Sequence, residues 1–249
     1  MNTSLTASQA HARASAPPTR RVVDAPTRVF HALLALSFVG AYLTAEGESW
    51  RQLHITLGYT MAGLLTFRVV WGLFGPRHVR LAVLGRKLQG WPAWLQGLKA
   101  GQAPGRPLQN LLLASSVAGL LGLIAPLALS GYGVYQDWAG DWLADVHALF
   151  GNAMLAVVLG HVGLIGWLSL ARRHNMAGPM LTGHAPGPGP DVARRNHGAL
   201  ALLLLVAVLG FWAWQWQQAP AGTDVVRGAA QANPDAQGRA QRRHHDHDD

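Results

Sequence analysis

The sequence predicts an all-α integral membrane protein: a four-helix transmembrane bundle followed by a fifth, C-terminal transmembrane helix. Three observations carry that reading. Half of the 249 residues are hydrophobic and only 13% are charged. Five apolar blocks, roughly residues 29–45, 54–74, 108–131, 146–170 and 198–216, each suffice to cross a hydrocarbon core of about 30 Å, given some tilt. The charges fall between the blocks. The organisation is then a basic tail (1–27), a membrane domain (28–172), a Gly/Pro-rich linker (173–197), the fifth helix (198–216) and a polar tail (217–249). No internal repeat of useful length divides the membrane domain.

The first block is short and follows a basic, Pro/Ala-rich tail. It carries His31 and reads as a retained signal anchor rather than a cleaved leader. The second opens on His54 and ends in Arg68-Val-Val-Trp71-Gly72. The third is rich in small residues (Ala114, Ser115, Ser116, Ala118, Gly119, Gly122) that let helices approach closely, so it reads as a packing element without ligands. Pro126 is expected to bend it. The fourth block is the longest and holds His147 and His161. His184 and His197 flank the fifth and read as interfacial. Trp71, Trp138, Trp142 and Trp167 read as an interfacial aromatic belt. Residues 175–197 read as a flexible linker. The tail ending RRHHDHDD reads as solvated and disordered, with weak divalent-metal binding by His244, His245 and His247 as the competing reading.

Charge gives the orientation. Arg13, Arg20, Arg21 and Arg28 precede the first span. Arg77, Arg80, Arg86, Lys87, Lys99 and Arg106 lie between the second and third, and Arg172, Arg173, Arg194 and Arg195 between the fourth and fifth. The intervening segments, EGESWRQL and QDWAGDWLAD, hold one Arg against five acidic residues. The positive-inside rule places the N-terminus in the cytoplasm and, after five spans, the C-terminus in the periplasm of a bacterial inner membrane. The net charge of +8 arises mainly in these loops. It indicates contact with anionic lipid headgroups, and no nucleic-acid motif accompanies it.

There is no cysteine. That excludes a covalently attached haem, a thiolate-held iron–sulfur cluster and a disulfide. Any haem must be held through histidine or methionine.

Histidines supply the constellation. His147 and His161 are fourteen residues apart in one apolar helix. Fourteen steps of about 100° fall only about 40° short of four turns, with a rise of about 21 Å. The two imidazoles therefore share a side of the helix at two depths. Ionisable residues inside a span face the bundle interior and mark function. His31 and His54 lie on antiparallel helices near opposite membrane faces. Depth pairs His54 with His147 at the outer level and His31 with His161 at the inner level. Four histidines on three helices would hold two six-coordinate haems, with no open site for oxygen and no ligand exchange during electron transfer. Each ring needs its other N–H satisfied, by a backbone carbonyl or a hydroxyl. Gly58 and Gly151 each follow a histidine by four positions, leaving room on the ligand face for a flat macrocycle. A binuclear metal site is disfavoured, because the pairs are far apart and no Asp or Glu lies within the spans.

With RVFH at the first span, LHITLGYTMAGLLTFRVVWGLFGPRH around the second, and the His147/His161 pair, the chain resembles the bacterial diheme cytochrome b561 family. That family includes the b-type cytochrome subunits of membrane hydrogenases and formate dehydrogenases. The resemblance covers roughly residues 20–172, four of the five helices. It implies two haem b groups and quinone-linked electron transfer. The chain departs from the family in carrying Ala32, where an aromatic often follows the first ligand, and in its fifth helix and His-rich tail.

The expected function is therefore a diheme b-type cytochrome moving electrons between a quinone pool and a redox partner. That partner would be a periplasmic cytochrome c or a dehydrogenase or hydrogenase subunit, docked near Asp137, Asp141 and Asp145. Arg68 would pair with a haem propionate or a quinone carbonyl, or else snorkel to the interface. The alternative from the same family is a superoxide:quinone oxidoreductase, which the acidic outer loops disfavour. A haem-free, histidine-lined metal transporter is the third reading.

Overall fold

The computed structural model describes residues 18–102 and 105–218. In chain order the elements are β1 (Thr19–Arg21), α1 (Ala25–Leu43), α2 (Arg51–Phe74), α3 (Leu81–Leu88), α4 (Gly90–Lys99), α5 (Gly105–Tyr135), α6 (Asp141–Ala171), α7 (Gly178–Thr182), β2 (His184–Pro186) and α8 (Gly198–Gln218). Single 3₁₀ turns precede α2 and α3. Helices α1, α2, α5, α6 and α8 are long and apolar enough to cross a membrane. They coincide with the five apolar blocks and extend them by a few residues into polar sequence.

Local chemistry sets the helix ends. Asp24 Oδ1 accepts the Thr27 N–H at 3.1 Å and caps α1, and Pro26 occupies the first turn, where its missing N–H costs nothing. Gly140 takes φ 70° immediately before α6, a left-handed conformation open to glycine. Helix α5 runs unbroken through Pro126 over 31 residues, and the Ser130 hydroxyl donates to the Pro126 carbonyl at 2.7 Å.

Helix α1 packs along α2, α5 along α6, and α2 against α5. The buried centre takes one residue from each of these four helices: Phe38, Met61, Ile124 and Met154. Phe38 lies seven residues after His31 and Met61 seven after His54. Met154 is seven from both His147 and His161. Seven residues are two turns, about 10 Å, and return to nearly the same side of a helix. One apolar layer therefore sits midway between the two histidine levels. Large apolar side chains such as Leu36, Leu159 and Leu203 face outward, as lipid-facing positions do.

The chain divides into two compact units, one ending at Val208 and one beginning at Leu209. Within the second, Phe211 and Trp214 lie 6.1 Å apart, centroid to centroid.

Two features differ from the sequence expectations. The loop between the second and third spans contains α3 and α4, and the Trp91 indole donates to Ser115 Oγ at 2.9 Å, tying α4 to α5. The Gly/Pro-rich segment after α6 is ordered rather than flexible. There β2 pairs antiparallel with β1, Asp191 Oδ1 accepts the Arg21 N–H at 2.6 Å, Asn196 binds the Ala25 N–H, and Ala193 is fully buried. Its ordering partners lie more than 150 residues upstream, beyond the reach of a local composition argument. The Trp71 ring stacks on Phe67 and meets His197, the other residue read as interfacial, edge-on at 5.2 Å. Trp138, Trp142 and Trp167 are exposed. His184 bonds the Thr182 carbonyl in the turn before β2. Arg13 and the tail residues His244, His245 and His247 lie outside the described residues.

Candidate haem-ligand site

Helices α2 and α6 bring His54 and His147 together at the end of the bundle that carries the acidic loops. Their ring centroids are 6.0 Å apart and their planes are 80° from parallel. Imidazole–metal bonds are about 2 Å long, so two of them in line, plus the half-widths of two rings, come to about 6 Å. The separation fits one metal atom between the rings.

Tautomers follow from the acceptors. His54 Nδ1–H donates to the Ala41 carbonyl at 2.8 Å. His147 Nδ1–H donates to the Leu127 carbonyl at 3.0 Å, with Ser130 Oγ at 3.3 Å. A carbonyl only accepts, so each Nδ1 carries a proton, and in the neutral ring the lone pair is on Nε2. Nε2 is therefore the nitrogen that each ring can offer a metal.

At the other end, His31 and His161 lie within electrostatic reach of one another on α1 and α6. His161 Nδ1 is 2.8 Å from Ser116 Oγ. That hydroxyl gives its own proton to the Leu113 carbonyl at 2.9 Å, so it accepts from the histidine. Again Nε2 is the free nitrogen. His31 is exposed on α1.

The supporting shell comes from α5, read in the sequence as packing alone. Ser116 and Ser130 are themselves fourteen residues apart. Because α5 and α6 run antiparallel, this spacing sets one serine opposite each α6 histidine. The matching interval was the available signal. Gly131 is a further residue not anticipated: a Cβ there would stand 2.7 Å from His147 Cε1, so only glycine admits the ring in this position. Around Gly58 nothing lies within 4 Å of an added Cβ, and at Gly151 the nearest atom is Leu127 Cδ1 at 4.0 Å. Both glycines leave space beside the rings, Gly58 the more.

Arg68 lies fourteen residues beyond His54 on α2, which puts it at the level of the His31/His161 pair. Its Nη1 is buried with no hydrogen-bond partner among the described residues, against the backbone of Gly72. The carboxylate nearest in effect is Asp24, which is fully buried, caps α1 and accepts from His78 Nε2 at 3.2 Å. A buried guanidinium nitrogen without an acceptor suits an anionic group such as a propionate. Donor set, ring spacing, free Nε2 atoms and unfilled glycine faces all fit haem.

No curated protein and no solved structure matches the chain. Residues 22–183, well over half of the sequence, match the family model of prokaryotic cytochrome b561. The match takes in α1, α2, α5 and α6 with all four histidines. The chain thus belongs to the prokaryotic cytochrome b561 family, membrane b-type cytochromes that bind haem b and serve electron transfer.

Proposed function

We propose that the protein is a diheme b-type cytochrome, in which His54/His147 and His31/His161 each hold one haem b. It carries electrons between a quinone pool and a redox partner at the periplasmic face of a bacterial inner membrane. The observation that carries this reading is the His54/His147 pair, 6.0 Å apart with both Nδ1 protons committed to backbone carbonyls. Haem iron supplies the one-electron chemistry. The chain's own groups do the rest. His54, His147, His31 and His161 would hold the two haems through both ligand positions of each iron, an arrangement that would favour electron transfer over oxygen chemistry. Leu127, Ala41 and Ser116 hold three of the rings in one tautomer and raise their basicity. Arg68 offers its unpaired Nη1 to a propionate of the haem nearer the basic loops.

Of the readings for the outer face, partner docking is favoured over superoxide oxidation. Asp137, Asp141 and Asp145 are exposed there, and their field repels a small anion while attracting a basic protein surface. Basic loops at the other end support an N-terminus in the cytoplasm and a C-terminus in the periplasm. Among the described residues no group of three or more His, Asp or Glu converges, so the transporter reading lacks a donor cluster.

The test is haem content and spectrum of the purified chain with four single substitutions. Wild type should hold two acid–acetone-extractable haems. His54→Ala and His147→Ala should damage one haem alike, His31→Ala and His161→Ala the other, and double changes within a pair should add little. One haem per chain, or His54→Ala behaving as His161→Ala does, would refute the pairing.

A further inference from the structure

At the basic end, the first turns of α5 and the last turn of α6 flank an open surface cleft of about 490 Å³ lined by Arg106, Asn110, Ala171 and Arg172, all exposed. The Arg172 guanidinium is held by a hydrogen bond from its Nη2 to Gln109 Oε1 on α5, which fixes one wall of the cleft across two helices. Two guanidinium groups and an amide therefore face a space with no acidic residue in its lining. Asp24, which His78 contacts, lies elsewhere in the chain. One turn below Ala171, and on its side of α6, Trp167 is exposed. The doubly cationic cleft thus has an exposed indole beneath it.

We infer that this cleft binds the phosphate of an anionic phospholipid, an acyl chain lying along Trp167. The argument is chemical complementarity at two depths. Arginine presents a planar fork of donors that matches phosphate oxygens, and basic pockets between spanning helices on the cytoplasmic side suit anionic headgroups. Asparagine adds a neutral donor. The apolar continuation favours a lipid over free phosphate, which would have no use for it. The bound headgroup would bridge the same two helices that Gln109 and Arg172 already join. Ser116 lies ten residues beyond Arg106 on α5, and His161 eleven before Arg172 on α6, so the lipid would clasp the helix pair that positions this ligand. The site lies apart from the histidines, and its test does not depend on haem stoichiometry.

The experiment is native mass spectrometry of the detergent-purified full chain with phosphatidylglycerol, phosphatidylcholine or inorganic phosphate. Wild type should retain one phosphatidylglycerol in preference to phosphatidylcholine. Arg106→Gln/Arg172→Gln should weaken that retention by about thirtyfold, the effect of two interfacial cations. Arg172→Lys, which keeps the charge and loses the fork, should fall between. Arg86→Gln/Lys87→Gln removes the same charge elsewhere on the basic face and should leave retention unchanged. Helical circular dichroism checks that each variant is folded, and Arg172→Lys decides the matter if the double variant is not. Equal retention of phosphatidylcholine, wild-type retention by the folded double variant, or equal loss in Arg86→Gln/Lys87→Gln would overturn the site. Displacement of the lipid by millimolar inorganic phosphate would replace the lipid assignment with a free-anion one.

Discussion

Ser116→Ala tests the supporting shell at a single atom. The Ser116 hydroxyl is the acceptor given to His161 Nδ1–H, at 2.8 Å in a partly buried setting. Removing it leaves that N–H unpaired, a loss of about 1–3 kcal/mol. Expressed as affinity, this is about tenfold to a hundredfold weaker haem binding at the His31/His161 site, the range seen when outer-shell partners of metal ligands are removed. The direction of the redox change follows as well. A histidine relieved of its Nδ1 acceptor is less basic, stabilises ferric iron less, and raises the midpoint potential of that haem. The other haem should not respond, because His147 leans on the Leu127 carbonyl, which no side-chain change removes. Ser130→Ala, 3.3 Å from His147 Nδ1, is the matched control and should have a small effect. Ser116→Thr should restore the wild-type values. Redox titration with competitive haem transfer reads both quantities in one preparation. Unchanged affinity and potential at the His31/His161 site in Ser116→Ala, or a shift at both sites together, would refute the reasoning.

Further outcomes follow from other contacts. Gly131→Ala places a methyl group 2.7 Å from His147 Cε1, so the ring must move off Leu127. A cost of about 1–3 kcal/mol should appear as loss or spectral broadening of the haem held by His54 and His147. Gly58→Leu meets no atom within 4 Å at its first carbon. It should leave helical content and insertion unchanged while lowering haem incorporation, because the side chain enters the space assigned to the macrocycle. Asp24→Ala removes the α1 cap and the His78 partner together. It should cost about 1 kcal/mol for the cap and about 1 kcal/mol for the lost hydrogen bond, read as a lower thermal midpoint of the purified protein.

The spans were legible because hydrocarbon demands long apolar runs whatever their neighbours do. The observed helices differ from the apolar blocks chiefly at their ends, where polar residues such as Asp141 and Arg51 continue the helix beyond the hydrophobic stretch. The juxtaposition of His54 and His147 was legible from spacing and antiparallel order. What escaped notice depended on pairing between distant segments. The β1–β2 ladder and the Asp191–Arg21 contact join residues about 170 apart in sequence, and nothing in either segment alone foretells the other. Helices α3 and α4 are short and amphipathic, without a long apolar run to mark them. Ser116 and Ser130 were hidden by resemblance: a small hydroxyl in a helix rich in Ala and Gly reads as packing until the facing helix supplies an imidazole at the same height.

The layer of Phe38, Met61, Ile124 and Met154 has a consequence for energy conservation. Two redox centres on opposite sides of it would be separated by a plug whose apolar side chains are almost wholly removed from solvent. Electrons tunnel through such a barrier over two pairs of helical turns, while protons and metal ions meet a dry dielectric that they cross only at large energetic cost. The same four residues that pack the helices would thus act as insulation, letting charge pass as electrons alone. Placing an aspartate at Met154 would be the way to make that insulation leak.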